Sequence, residues 1–77
     1  MDAQKAVKLM LADAGMSTRD LAGAFNTTKA GAGTKISKGV YSIKDLLIIA
    51  EACGAKVKIE LKSDLVLDLT REEEGEN

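Results

Sequence analysis

Residues 26–39 have the sequence NTTKAGAGTKISKG, and this stretch decides the fold. It contains three lysines, no acidic residue and mostly small side chains. Gly31 and Gly33 each disfavour a helix by about 0.5–1 kcal/mol relative to alanine. Two interpretations are open: a flexible glycine-rich loop, or a short helix that forms only because its neighbours hold it. The patterns on either side favour the helix.

Before this stretch, the sequence predicts a first helix from about Ala3 to Ala14. Asp2 is suited to cap its N-terminus, and Gly15 is suited to end it in a left-handed conformation. Apolar residues recur at steps of three and four, which predicts one core-facing stripe made of Ala6, Val7, Met10, Leu11 and Ala14.

Two segments with the same pattern flank the central stretch, MSTRDL at 16–21 and YSIKDL at 41–46. Each has an apolar residue, a serine, an acid three residues after the serine and then another apolar residue, which is typical of a helix start. The first predicts a second helix that reaches Phe25 and stops near Asn26, since asparagine tolerates a positive φ. The second predicts a helix that runs to about Cys53 and ends at Gly54.

Between these segments, the threonines at 27–28 are candidate caps for a third helix from about Lys29 to Ser37. Gly39 is placed to end it, and Ala32 and Ile36 lie four residues apart on its inward side. A short helix, an abrupt turn and another helix form the pattern of a helix-turn-helix. The central stretch would then be the part that lies in a DNA groove.

From Lys56 the apolar period changes to two residues, which predicts a β-hairpin. A three-residue loop at 62–64 is favoured over a two-residue loop because it places all six large aliphatic residues on one face. Asp64 then takes the left-handed position. The expected pairs are Val57 with Leu69, Ile59 with Leu67 and Leu61 with Leu65.

An isolated two-stranded hairpin is only marginally stable in water, so its aliphatic face must cover something. This face could pack on the helices of the same chain or on a second copy of the chain, and the two arrangements can occur together. The predicted fold class is therefore mainly α. A four-helix helix-turn-helix domain at 1–55 is followed by a C-terminal β-hairpin at 56–70. The hairpin is a packing or dimerisation element, and in one interpretation it pairs with the hairpin of a second copy. A disordered acidic tail is expected at 71–77.

Composition excludes several classes of function. One cysteine and no histidine leave almost no ligands for a metal site, so we expect no metal and no cofactor. The segment GAGTK at 31–35 lacks the order and spacing of a phosphate-binding loop, and no small-molecule ligand is evident. We therefore expect no catalysis. No apolar run is long enough to span a membrane and no signal peptide is visible, so a cytoplasmic protein is expected.

The net charge of −1 conceals an uneven distribution. Four of the twelve acidic residues lie at 72–76, whereas four lysines and no acid lie between Asp20 and Asp45. For nucleic-acid binding the local field matters more than the total charge. A merely solvated face is the alternative for such a lysine cluster. The candidates for phosphate contacts are Lys29, Lys35, Lys38 and Lys44.

Four segments together resemble the phage repressor type (Xre/Cro, lambda-repressor-like) of helix-turn-helix domain. These are GMSTRDLA at 15–22, the turn NTT at 26–28, KG at 38–39 and SIKDLLIIAEA at 42–52. The resemblance covers roughly residues 3–54. It implies a compact helical domain whose third helix contacts the major groove of DNA, usually as a dimer.

The resemblance also implies roles by position. Thr18 matches a frequent phosphate contact, and five residues match positions that face DNA bases: Thr28, Ala30, Gly33, Thr34 and Ser37. Members of the family often carry Gln, Asn or Arg at such positions, where bidentate base contacts are made. Because the side chains here are small, we expect DNA shape, water or two half-sites to contribute much of the specificity.

We therefore expect sequence-specific binding to double-stranded DNA by a homodimeric, repressor-like transcriptional regulator of a phage or mobile element. The residues expected to form the dimer are Val57, Ile59, Leu61, Leu65, Leu67 and Leu69. The alternative is a protein-interaction module on a helix-turn-helix scaffold, such as an antitoxin or a phage- or plasmid-borne inhibitor. The glycines of the third helix and the acidic tail keep this alternative open.

Overall fold

Three α-helices and one β-hairpin make up residues 1–71, which is the part of the chain that the computed structural model describes. A turn of 3₁₀ helix at Thr18–Leu21 lies between the first two α-helices. The elements are α1 (Ala3–Ala14), α2 (Lys29–Lys38), α3 (Ile43–Cys53), β1 (Val57–Glu60) and β2 (Val66–Leu69). None of the helices within residues 1–71 has the length and apolar character required to cross a bilayer.

The prediction of four helices is wrong, because the expected second helix is only the 3₁₀ turn. The Ser17 N–H does donate to Asp20 Oδ2 (2.8 Å), as the cap pattern predicted. However, the Ala22 N–H donates to the Arg19 carbonyl three residues back, which is the 3₁₀ spacing. One bond with α-helical spacing follows, from the Phe25 N–H to the Leu21 carbonyl, but it does not continue into an α-helix.

The end of this segment explains why no α-helix forms. Asn26 has a φ of 59°, and its N–H donates to the Gly23 carbonyl (3.1 Å). The Thr27 N–H donates to the Ala22 carbonyl (2.9 Å), which completes the Schellman arrangement that ends helices. This ending begins directly after the 3₁₀ turn, and Gly23 adds a residue of poor helix propensity. Too few residues remain between start and end for an α-helix.

The central stretch forms α2, so the loop interpretation is wrong. The Thr28 side chain accepts a hydrogen bond from the Gly31 N–H (3.0 Å), and Gly39 ends the helix with a φ of 71°. Ser42 and Asp45 form the predicted capping box of α3, which ends at Gly54. α1 likewise begins at Asp2 and ends at Gly15.

The core takes side chains from all three α-helices and from the 3₁₀ turn. Its fully or almost fully buried large residues are Val7, Leu11, Leu21, Ile36 and Ile49. Cys53 is half-buried against this cluster. Burial and the negative charge of Asp13 raise the pKa of the Cys53 thiol above its ordinary value, so the thiol stays protonated near neutral pH.

The hairpin has the predicted register. Val57 pairs with Leu69 and Ile59 with Leu67, and the Leu61 N–H donates to the Leu65 carbonyl (2.7 Å). Asp64 takes the left-handed conformation with a φ of 75°. The three-residue loop is therefore confirmed. The predicted tail at 71–77 falls outside the described residues except for Arg71, whose Nη1 lies 3.1 Å from Glu51 Oε1 of α3.

Candidate nucleic-acid interface

α2 is held against the body of the protein by its inward face and by its C-terminal end. Ala32 and Ile36 are almost completely buried. The Tyr41 hydroxyl donates to the Ile36 carbonyl (2.7 Å), and Gln4 Nε2 donates to the Ser37 carbonyl (3.3 Å). Burial, with a contribution from the charge of Asp2, raises the pKa of Tyr41, so this hydroxyl remains a donor. The bond from Gln4 satisfies the Ser37 carbonyl at the helix end, and the bond from Tyr41 adds a second donor to the Ile36 carbonyl, which also accepts from the Gly39 N–H.

Between its terminal lysines, Lys29 and Lys38, the outer face of α2 carries only small side chains. Ala30, Thr34 and Ser37 are exposed on the side opposite Ala32 and Ile36. All three are positions predicted to face bases. A helix with such a surface can approach a partner until its backbone is close to it.

The hydroxyl groups near this face are bonded to the helix itself. Thr34 Oγ1 donates to the Ala30 carbonyl (3.0 Å), and Ser37 Oγ donates to the Thr34 carbonyl (3.1 Å). The hydroxyl oxygen of Thr28 accepts the capping bond from Gly31. Because their hydroxyl hydrogens are bonded to the helix, Thr34 and Ser37 present oxygen lone pairs outward. The Thr28 hydroxyl oxygen instead caps the helix.

Gly33 and Gly31 have different surroundings. A Cβ atom at Gly33 would lie 3.9 Å from Thr18 Oγ1, which is an ordinary contact between α2 and the 3₁₀ turn. Gly33, predicted to face bases, is therefore half-buried beside Thr18 rather than central on the outer face. A Cβ at Gly31 would lie 2.5 Å from Thr27 Oγ1 and 3.1 Å from Thr28 Oγ1. Gly31 thus leaves room for the Thr27 and Thr28 hydroxyl groups at the start of α2.

Lys35 differs from the other predicted phosphate contacts because it already has partners. Its Nζ lies 3.5 Å from Asp45 Oδ1 and 5.3 Å from the centre of the Phe25 ring. Burial alone would raise the pKa of Asp45, but the hydrogen bond from the Ser42 N–H and the charge of Lys35 together lower it. The ion pair ties α2 to the start of α3.

The remaining lysines of the cluster are solvent-exposed. Lys29 begins α2, Lys38 ends it, and Lys44 lies in the first turn of α3. Within residues 1–71 none of these three forms an ion pair. They can therefore contact anions without first breaking a contact with a described carboxylate.

An open concavity of about 710 Å³ lies between α2, the start of α3 and the turn before α2. It brings together three of the predicted phosphate contacts, Lys35, Lys38 and Lys44, with the predicted base contact Thr34. Thr18 and Lys29 do not line it. Arg71 does, although the sequence pattern assigned it to the tail. Only its position directly after β2 could have indicated that the hairpin returns it to the helices.

The aliphatic face of the hairpin is covered only at its base. Val57 and Leu69 are half-buried and border a cavity of about 230 Å³ next to Leu47 and Ala50 of α3. The other four aliphatic residues remain open to solvent, with exposed fractions of 45% for Ile59, 38% for Leu61, 56% for Leu65 and 40% for Leu67. The helices of the same chain therefore do not cover most of this face.

Comparison of the chain with protein-family models, with curated proteins and with solved structures gives no match.

Proposed function

We propose that this protein binds double-stranded DNA with α2 in the major groove and acts as a repressor-like transcriptional regulator. The observation that carries the proposal is the outer face of α2, which combines small side chains with exposed lysines at both ends of the helix. The resemblance to repressor-type helix-turn-helix domains supports the same placement. The proposed setting is the cytoplasm, where a lone reduced cysteine is ordinary.

Affinity in this proposal comes mainly from phosphate contacts. Lys29, Lys38 and Lys44 have no ion-pair partner among residues 1–71 and supply positive charge, whereas Lys35 contributes less because it is paired with Asp45. Each phosphate that is neutralised releases condensed counterions, so affinity falls as salt rises. Thr18, half-buried at the start of the 3₁₀ turn, has a hydroxyl group that can bind a further phosphate.

Sequence preference comes from few direct contacts. The outward lone pairs of Thr34 and Ser37 match the amino groups that adenine and cytosine present in the major groove. The Ala30 methyl group is suited to contact a thymine methyl group. Because these contacts are few, specificity also depends on DNA shape and on two half-sites that bind together.

We further propose that the protein acts as a homodimer that buries the open aliphatic face of the hairpin. This face carries no charged side chain; the charged residues Lys58, Glu60 and Asp68 alternate with the aliphatic ones and point to the other side of the sheet. Two copies can therefore pack face to face without opposing like charges. A dimer also supplies the second half-site.

A matched pair of substitutions tests the placement of α2. Ala30→Glu puts a negative charge on the outer face of α2, and Ala12→Glu makes the same change at an exposed position of α1. Fluorescence anisotropy measures binding to the DNA upstream of the protein's own gene at low salt. We expect Ala30→Glu to weaken binding at least about tenfold, because a carboxylate in the groove meets the phosphate field. Equal effects of the two substitutions would contradict the placement.

The second candidate function is a protein-interaction module on the same scaffold, and the open hairpin face favours it. In that case the exposed aliphatic side chains would bind another protein, as in an antitoxin or an inhibitor. Absence of duplex binding at low salt by a protein that remains folded would favour this function over DNA binding.

A further inference from the structure

The concavity beside α2 has a strong excess of positive charge. Four cationic side chains line it, Lys35, Lys38, Lys44 and Arg71, together with the single carboxylate of Asp45. Lys35 is paired with Asp45, and Arg71 with Glu51 outside the concavity. Lys38 and Lys44 have no acidic partner among residues 1–71. The concavity therefore offers two lysines that can bind an anion.

The sequence that follows Arg71 is such an anion. Arg71 lines the concavity, and the next residues in the sequence are Glu72, Glu73, Glu74, Gly75 and Glu76. A residue spans at most about 3.3–3.6 Å, so five residues reach up to about 17 Å from Arg71.

We propose that the acidic segment at residues 72–76 binds in this concavity and competes there with DNA phosphates. The proposal deepens the proposed function, since it assigns regulation of the same surface to a segment of the same chain. The segment carries four carboxylates, and the lining offers Lys38 and Lys44, which have no acidic partner among residues 1–71, so the two are opposite in charge.

The covalent link favours this occupant over a free anion. A short covalent connection holds the two groups at an effective concentration in the millimolar range, so weak ion pairs suffice for partial occupancy. The competition lowers affinity for any duplex by the same factor. It therefore suppresses weak non-specific binding below a useful level, while tight operator binding persists.

The variant that tests the proposal replaces all four glutamates, Glu72→Gln, Glu73→Gln, Glu74→Gln and Glu76→Gln, in the full chain. The matched control removes four negative charges elsewhere, Asp13→Asn, Glu60→Gln, Asp64→Asn and Asp68→Asn, so that both proteins have the same net charge. None of the control positions lines the concavity.

The first measurement uses backbone amide NMR shifts without DNA. At about 20 mM salt we expect the tail variant to differ from the wild type at residues 31–45 and not in the hairpin. At about 0.5 M salt the difference should vanish, because screening is then nearly complete beyond a few ångströms. Unchanged shifts at residues 31–45 in low salt would overturn the proposal. A second result would also overturn the proposal: if adding unlabelled wild-type protein returns the shifts of the labelled tail variant to the wild-type values, the segment acts between chains.

The second measurement is affinity for the DNA upstream of the protein's own gene. We expect the tail variant to bind about threefold to tenfold more tightly than the control variant, as a millimolar local competitor implies. An equal gain in both variants would show a general effect of net charge and overturn the competition. Because the NMR measurement contains no DNA, failure of DNA binding itself remains distinguishable from failure of the tail to bind.

Discussion

The two glycines of α2 should respond in opposite ways to the same substitution. Alanine is favoured over glycine in a helix by about 0.5–1 kcal/mol. At Gly33 the new methyl group meets only Thr18 Oγ1 at 3.9 Å, so Gly33→Ala gains this amount. For a domain of this size 1 kcal/mol shifts Tm by about 4–8 °C, so we expect Tm to rise by about 2–8 °C.

At Gly31 the same methyl group meets two hydroxyl groups at close range. It would lie 2.5 Å from Thr27 Oγ1 and 3.1 Å from the Thr28 hydroxyl that caps α2. Loss of such a cap costs about 1 kcal/mol, which offsets the gain in propensity. We therefore expect Gly31→Ala to be less stable than Gly33→Ala by at least about 1 kcal/mol.

The assay is urea and thermal unfolding followed by circular dichroism, with Thr27→Ala added to each glycine variant. Removal of the Thr27 hydroxyl should stabilise the Gly31→Ala protein, because it removes the closest contact. It should change the Gly33→Ala protein little. If Gly31→Ala is as stable as Gly33→Ala, or if Thr27→Ala has the same effect in both backgrounds, the account of the start of α2 is refuted.

Two further predictions concern the ion pair and the hairpin. Because the pKa of Asp45 is lower in the folded state than its ordinary value of 3.8, its stabilisation is present above that value. The contribution of the Asp45 carboxylate to the free energy of unfolding is lost as pH falls through the folded-state pKa. Asp45→Asn lacks this contribution at every pH. Its free energy of unfolding, measured with urea, should therefore decrease less than that of the wild type as pH falls from neutral to acid. Leu67→Lys on the aliphatic face should shift the protein from dimer to monomer in light scattering at about 10 µM, where even a micromolar dimer persists. Val66→Lys, at a residue 46% exposed on the opposite face, should leave the dimer intact, and equal effects would contradict a dimer through this face.

Features fixed by neighbouring residues were predictable from the sequence. The caps of α1, α2 and α3 depend on a side chain and a backbone group three residues apart, and the hairpin register follows from the alternation of apolar residues. The second helix was not predictable in the same way. The Ser17–Asp20 pattern marks a helix start equally well for an α-helix and for a 3₁₀ turn, and the competing ending at Asn26 decided the outcome.

The candidate site was predictable in part. The lysine cluster and the small outer residues of α2 follow directly from residues 26–44. The pairing of Lys35 with Asp45 and its position near Phe25 were not predictable, because they depend on how closely α2 approaches the start of α3. The same holds for Arg71, since only the packing of the hairpin base against α3 brings it to the concavity.

The most direct test of the central claim is the salt dependence of duplex binding. Lys29, Lys38 and Lys44 have no ion-pair partner among residues 1–71, and these three lysines predict that log K falls with log salt concentration with a slope of about −2.7 per chain. Lys38→Glu with Lys44→Glu should weaken binding to every sequence and reduce this slope by about 1.8 per chain. The matched control, Lys8→Glu with Lys62→Glu, reverses two exposed lysines that do not line the concavity and should retain the slope. No duplex binding at low salt, or equal slopes in the two double variants, would contradict DNA binding through this surface.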